Sequence, residues 1–186
     1  MFNYINHVSN CLLLQKFKKN KLFLISILLF PIIYFASCKE SGGGEDLEFA
    51  PDFTLTFFYG DKEYKNKEVT LSSLRGKPVI ILFTASYCPT CKYMFDAFEP
   101  YMGKDFFIMG IGTNDKFDLF KLKIESTNTK IPCAFDTVGL SKKYDIFALP
   151  LTVFIKSDGK ILKKVRGTMG KERIAETFAE LKGAKN

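Results

Sequence analysis

The stretch Val79-Ile80-Ile81-Leu82-Phe83-Thr84-Ala85-Ser86-Tyr87-Cys88-Pro89-Thr90-Cys91 decides the fold. Its opening residues, Val79 to Phe83, form a continuous apolar run of the type found in central strands buried on both faces. Residues 90–102 then switch to helical spacing, with Met94, Phe98, Tyr101 and Met102 on one side and Ala97 small enough for close packing. The Cys-x-x-Cys pair therefore stands where a strand hands over to a helix, and that placement has chemical consequences. Unsatisfied N–H groups and the macrodipole at a helix N-terminus stabilise an anion, so Cys88 is expected as a thiolate. Thiolate is the species that attacks disulfides, and in such settings a thiol pKa falls from ~8.5 into the range ~3.5–7.5. Cys91, one turn later on the same face, is within reach of Cys88, is expected to be the more buried, and is placed to resolve an intermediate. Pro89 suits a first helical turn, where its missing N–H costs no hydrogen bond. Taken alone, the pair also admits half of a zinc site or a structural disulfide, but a zinc site requires a second ligand pair that this chain lacks.

Working outward, residues 52–57 alternate polar and apolar as a half-buried strand does, Gly60-Asp61 marks a turn, and residues 68–71 suggest the returning strand. Residues 106–111 predict another strand and 116–125 an amphipathic helix. Residues 151–155 and 160–165 flank Ser157-Asp158-Gly159, a hairpin signal. The span 171–182 predicts a closing helix with Ile174, Phe178 and Leu181 inward. Strands alternating with helices make this an α/β domain.

Several separated motifs occur in one order. They are Ala50-Pro51-Asp52-Phe53-Thr54-Leu55, Leu71-Ser72-Ser73-Leu74-Arg75-Gly76-Lys77-Pro78-Val79, the segment from Phe83 to Cys91, Tyr144-Asp145-Ile146, and Leu149-Pro150-Leu151-Thr152-Val153-Phe154-Ile155 with Asp158-Gly159-Lys160. Together they resemble the TlpA-like thioredoxin-fold oxidoreductases, over residues 49 to 182. The resemblance implies a thioredoxin fold, with a central mixed sheet flanked by helices and an added N-terminal β-hairpin. It implies a redox-active Cys88–Cys91 disulfide supported by Tyr87, Pro89, Thr90, Leu149 and Pro150. Pro150 stands at the family's cis-proline, and the Leu149 backbone would pair with an extended substrate. The chain departs from the pattern at three places. Tyr87 stands where Trp commonly precedes the first Cys, Leu82 where thioredoxin has a buried acid, and Asp96 where a helix proline is usual. Neither a cofactor nor a metal is expected.

Charge and composition narrow the field. The 186 residues carry 27 Lys plus Arg against 20 Asp plus Glu, a formal +7. Lys16, Lys18, Lys19 and Lys21 stand in residues 1–37 without any acid, which leaves +3 for the rest. A weakly basic remainder with interleaved signs gives no nucleic-acid footprint. The single His is His7, which excludes a Cys-His protease, a His-ligated metal site and a Ser-His-Asp hydrolase within the folded domain.

The basic stretch Lys16 to Lys21, the 14-residue, almost purely apolar run from Leu22 to Phe35, interrupted by Ser26 and Pro31, and the small pair Ala36-Ser37 read as a signal peptide over residues 1–37. The run is short for a spanning helix, which needs about 20 apolar residues. Phe35-Ala36-Ser37-Cys38 resembles a bacterial lipoprotein lipobox, departing from it at Phe35, with Cys38 as the lipidated residue; an uncleaved anchor with an ordinary thiol at Cys38 is the alternative. Residues 38–48 read as a flexible polar tether, and residues 49–186 as the thioredoxin-like domain. The expected setting is the bacterial cell envelope, facing the periplasm, with the membrane held through the Cys38 lipid.

These readings converge on a thiol–disulfide oxidoreductase whose partners are exported protein thiols or disulfides and an upstream redox protein. Two other functions compete. A peroxiredoxin opens with a similar Ala-Pro-Asp-Phe, but Ile81 and Ala85 stand where peroxiredoxins place a Pro and a Thr. A Cu(I) metallochaperone would use soft thiolates, but related carriers have a wider Cys spacing and a later His. Cys133 reads as a small buried apolar residue, or alternatively as a third redox thiol. Lys163, Lys164 and Arg166 read as a solvated strand edge.

Overall fold

The structure is a computed structural model that describes residues 48–103 and 105–184. The expected signal peptide, Cys38 and all but the last residue of the expected tether lie outside the described residues. Seven strands form one sheet: β1 (Thr54–Tyr59), β2 (Glu68–Thr70), β3 (Val79–Thr84), β4 (Phe107–Gly112), β5 (Cys133–Phe135), β6 (Leu151–Ile155) and β7 (Ile161–Arg166). Their spatial order is β2-β1-β5-β4-β3-β6-β7. β3, β4 and β5 run parallel, while β1–β2, β1–β5, β3–β6 and β6–β7 are antiparallel. The sheet is mixed, as the resemblance implies, and the β1–β2 pair is the added hairpin, in register Thr54 with Thr70.

β3 is buried at all six positions because helices cover both sides of it. Val79, Ile81 and Phe83 point into one core with Leu55, Phe57, Met109, Tyr144 and Val153. Ile80 and Leu82 point into the other, with Met94, Phe95, Phe98, Phe154 and Phe178. This second core lies under α1 (Cys91–Phe98), α2 (Phe117–Thr127) and α4 (Lys171–Gly183), while the short α3 (Leu140–Lys143) covers the first. α1 ends in a 3-10 turn at Glu99–Tyr101 that carries Pro100, a residue unable to continue the i to i−4 ladder. Glycine at β4 serves this packing. A Cβ on Gly110 would lie 2.8 Å from both the Cys133 sulfur and the Phe95 ring, so a side chain there would expel the α1 aromatic from its seat.

Two elements were not foreseen from the sequence. β5 follows Pro132 and is only three residues long, yet it links β1 to β4. α3 is a single turn, preceded by Gly139 in the left-handed conformation. At the other end of the sheet, Phe49 bridges to Lys160, and the Ala50 N–H donates to the Gly159 carbonyl at 3.0 Å. The chain therefore enters the domain beside the β6–β7 turn.

Candidate active site

Cys88 and Cys91 are joined in a disulfide. The chain leaves β3 at Thr84 and turns at once, the Cys88 N–H donating to the Ala85 carbonyl at 3.1 Å. The helix begins later than the sequence implies. α1 starts at Cys91, so Cys88 and Pro89 occupy the turn before it rather than its first turn. The surroundings are local: the Cys88 N–H is engaged by the Ala85 carbonyl, and Thr90 caps the helix at φ −92° and ψ −5°. The unpaired N–H groups of the first turn of α1 still open towards this turn. The expected difference in burial is also small, with Cys88 4% and Cys91 2% exposed.

What distinguishes the two sulfurs is access to a groove. An open groove of about 220 Å³ is walled by Tyr87, Cys88 and Pro89 on one side and by Phe147, Ala148 and Leu149 on the other. Cys91 does not line it. The Leu149–Pro150 bond is cis, as the resemblance implies, and Leu149 is half-buried at the groove edge while Pro150 is buried beneath it. The Pro150 carbonyl accepts the Gly167 N–H at 2.8 Å, tying this loop to the end of β7. Tyr87 is exposed, and its hydroxyl donates to the Asn114 carbonyl at 3.3 Å. Thr90 is exposed beside the disulfide, its Oγ1 4.0 Å from the Cys88 sulfur.

The segment after β4 buttresses the turn that carries Cys88. The Thr113 N–H donates to the Thr84 carbonyl at 3.0 Å, and the Asp115 carboxylate accepts both the N–H and the hydroxyl of Ser86. On the far wall, Phe147 is 73% exposed, an uncommon state for a large apolar ring. The Arg166 guanidinium lies over it at 4.2 Å from the ring centroid, and Asp145 pairs with Arg166 at 3.6 Å. Arg166, exposed at the end of β7, thus braces a ring of the groove wall without lining the groove itself. The sequence signalled neither Asp115 nor Phe147. An Asp just past a strand and an aromatic just before Leu149-Pro150 were the available hints.

The remaining singled-out residues have structural surroundings. Cys133 is fully buried between Gly110 and Phe95, its S–H donating to the Ile131 carbonyl at 3.3 Å, and burial pushes its thiol far above the ordinary range. Leu82 is a core residue with no exposure. Asp96 pairs with Lys92 one helical turn earlier, at 2.8 Å on the exposed face of α1. Among the described residues, no cluster of three His, Cys, Asp or Glu side chains could hold a metal, and no helix is long and apolar enough to cross a membrane.

Comparison with known proteins agrees with this geometry. A sequence model of the AhpC/TSA family matches residues 48–164. The thiol-disulfide oxidoreductase ResA of Oceanobacillus iheyensis is 32% identical over 175 residues, covering 86% of this chain and 88% of that protein. ResA of Bacillus subtilis is 27% identical over 172 residues, covering 84% and 91%. Among solved structures, a putative protein disulfide isomerase from Bacteroides thetaiotaomicron superposes with a TM-score of 0.60 at 30% identity, covering 72% of this chain and 86% of that one. The exposed lipoprotein thioredoxin of Streptococcus pneumoniae does so with a TM-score of 0.60 at 27% identity, covering 70% and 100%.

Proposed function

The chain belongs to the AhpC/TSA family and is a thiol–disulfide oxidoreductase of thioredoxin fold; from that premise we propose that it works outside the cytoplasm, held to a membrane through a lipid on Cys38, and exchanges its Cys88–Cys91 couple with exported proteins. The observation that carries the site assignment is that Cys88, and not Cys91, opens onto the groove between Tyr87 and Leu149. In the reducing direction, the Cys88 thiolate attacks a client disulfide, one client sulfur leaves as thiolate, and a mixed disulfide forms. Cys91 then attacks the Cys88 sulfur, closing the internal disulfide and releasing the second client sulfur. The groove edge at Leu149 offers backbone to an extended client segment, as a sheet edge does for an added strand.

The lipid anchor is supported by the basic run, the apolar run and the small pair before Cys38, and by the likeness to a lipoprotein thioredoxin. The named relatives favour disulfide exchange over a peroxidase or a copper carrier, and Ile81 and Ala85 stand where a peroxidase would place a Pro and a Thr. The deciding experiment is trapping. Cys91→Ser should accumulate client adducts that a reductant dissolves, and Cys88→Ser few. The reverse pattern would assign the sulfurs the other way round. Mass spectrometry of the mature protein should find acylated Cys38 at its N-terminus; an N-terminus before residue 38 would refute the anchor.

A further inference from the structure

Thr152 Oγ1 is the single buried side-chain oxygen or nitrogen among the described residues that lacks a hydrogen-bond partner. The residue has no exposure. Leaving a buried hydroxyl unpaired costs about 1–3 kcal/mol, and valine would fill the same shape without that cost.

The register shows where it points. Thr152 pairs with Leu82 of β3 and Val165 of β7. Its neighbours Leu151 and Val153 face the core that contains Phe83 and Tyr144, so Thr152 faces the other side, with Leu82, Phe154, Val165 and Met94. That side is roofed by α1, whose first buried residues are Cys91 and Met94. β6 starts at Leu151, directly after cis-Pro150, and β3 ends two residues past Leu82. The register therefore places the hydroxyl towards the redox end of the sheet, on the side roofed by the helix that begins at Cys91, and its register partner Leu82 offers no polar group there.

We propose that in the dithiol state the Thr152 hydroxyl donates a hydrogen bond to the Cys91 sulfur, stabilising it as the thiolate that resolves the mixed disulfide. The inference rests on the Cys88–Cys91 couple turning over as described above. In the resolving step, the Cys91 thiolate forms a bond to the Cys88 sulfur and the Cys88–client bond breaks. The electron pair leaves on the client sulfur, which takes up the proton that Cys91 released. In the disulfide state the hydroxyl makes no hydrogen bond to the Cys91 sulfur or to any other group, and the proposed bond forms once the disulfide opens and the Cys91 sulfur is free to turn towards the sheet.

The test uses Thr152→Val and Thr152→Ser with a small chromogenic aromatic disulfide, whose first thiolate is released by Cys88 attack and second by Cys91 resolution. A hydrogen bond to a charged group is a matter of about tenfold or more. Thr152→Val should therefore leave the first release unchanged, slow the second about tenfold, and shift the glutathione equilibrium of the couple about tenfold towards the disulfide, about 30 mV more reducing. Thr152→Ser should retain both wild-type values. If Thr152→Val is only more stable, with unchanged second release and equilibrium, the hydroxyl has no redox role and the inference is overturned. If the wild type itself gives no second release, the functional reading of Cys88–Cys91 is what has failed.

Discussion

The Asp115 carboxylate holds Ser86 by two hydrogen bonds, one from its N–H and one from its hydroxyl at 3.0 Å, two residues before Cys88. The loop after β4 thereby fixes the turn from which the first sulfur is presented. Small displacements of a reacting group cost rate steeply. Asp115→Ala should lower turnover of a disulfide client about tenfold to hundredfold with little change in KM, and Asp115→Asn, which keeps one acceptor oxygen, should lose less. An equal loss in a Ser86→Ala variant that keeps the backbone bond would shift the credit to the hydroxyl contact.

Phe147 should matter for protein clients and not for small ones. Its exposed ring forms the wall opposite Cys88 and is braced by Arg166 and Asp145. Burying such a side chain against a client contributes about 1.5–3 kcal/mol when complete. Phe147→Ala should raise KM for a folded or peptide client about tenfold, while the reaction of Cys88 with a small disulfide stays unchanged. Arg166→Ala should do less, since an exposed cation–π contact contributes about 0.5–1 kcal/mol.

Cys133 should be dispensable for turnover. It is fully buried and its thiol is held protonated by that burial. Cys133→Ala should cost about 1–2 kcal/mol of stability through lost packing against Phe95, with disulfide-reduction rates within error of wild type. Alkylation of Cys133 in the native protein should proceed only as fast as the domain opens. Loss of turnover in a folded variant would bring this sulfur into the mechanism.

Acid stability should depend on Asp52 and Asp158. For both, burial pushes the carboxyl up, but hydrogen bonds outweigh it: Ser72 and Phe53 for Asp52, Lys160 and Lys156 for Asp158, with Arg75 and the same lysines adding charge. Each carboxyl is held below its ordinary 3.8. A depressed folded value contributes stability above the unfolded value and loses it as pH falls through the folded one. Thermal stability should therefore drop below about pH 4, and Asp52→Asn should flatten that drop. An unchanged acid profile would remove Asp52 from the balance.

Much of the frame was legible because its signals are local. The run Val79 to Phe83 is apolar at every position since both faces of β3 are covered, and Ser157-Asp158-Gly159 marks a turn wherever it stands. β5 was not legible: Cys133-Ala134-Phe135 shows no period, and it is a strand only because β1 and β4, distant in sequence, close on it. The start of α1 shifted for a similar reason, since nothing in the sequence says that Ala85 takes the Cys88 N–H. In the candidate site, the cysteines and Pro150 could be read from pattern. Asp115, Phe147 and Thr152 could not, because each acquires its surroundings from a neighbouring strand or loop.

The bridge between Phe49 and Lys160 fixes where the chain enters the sheet. The chain enters at one end of β6 and cis-Pro150 lies at the other, a separation of about 17 Å for a five-residue strand. The point of entry and the groove therefore stand at opposite ends of β6, so a partner seated between Tyr87 and Leu149 meets the domain on the side away from Phe49.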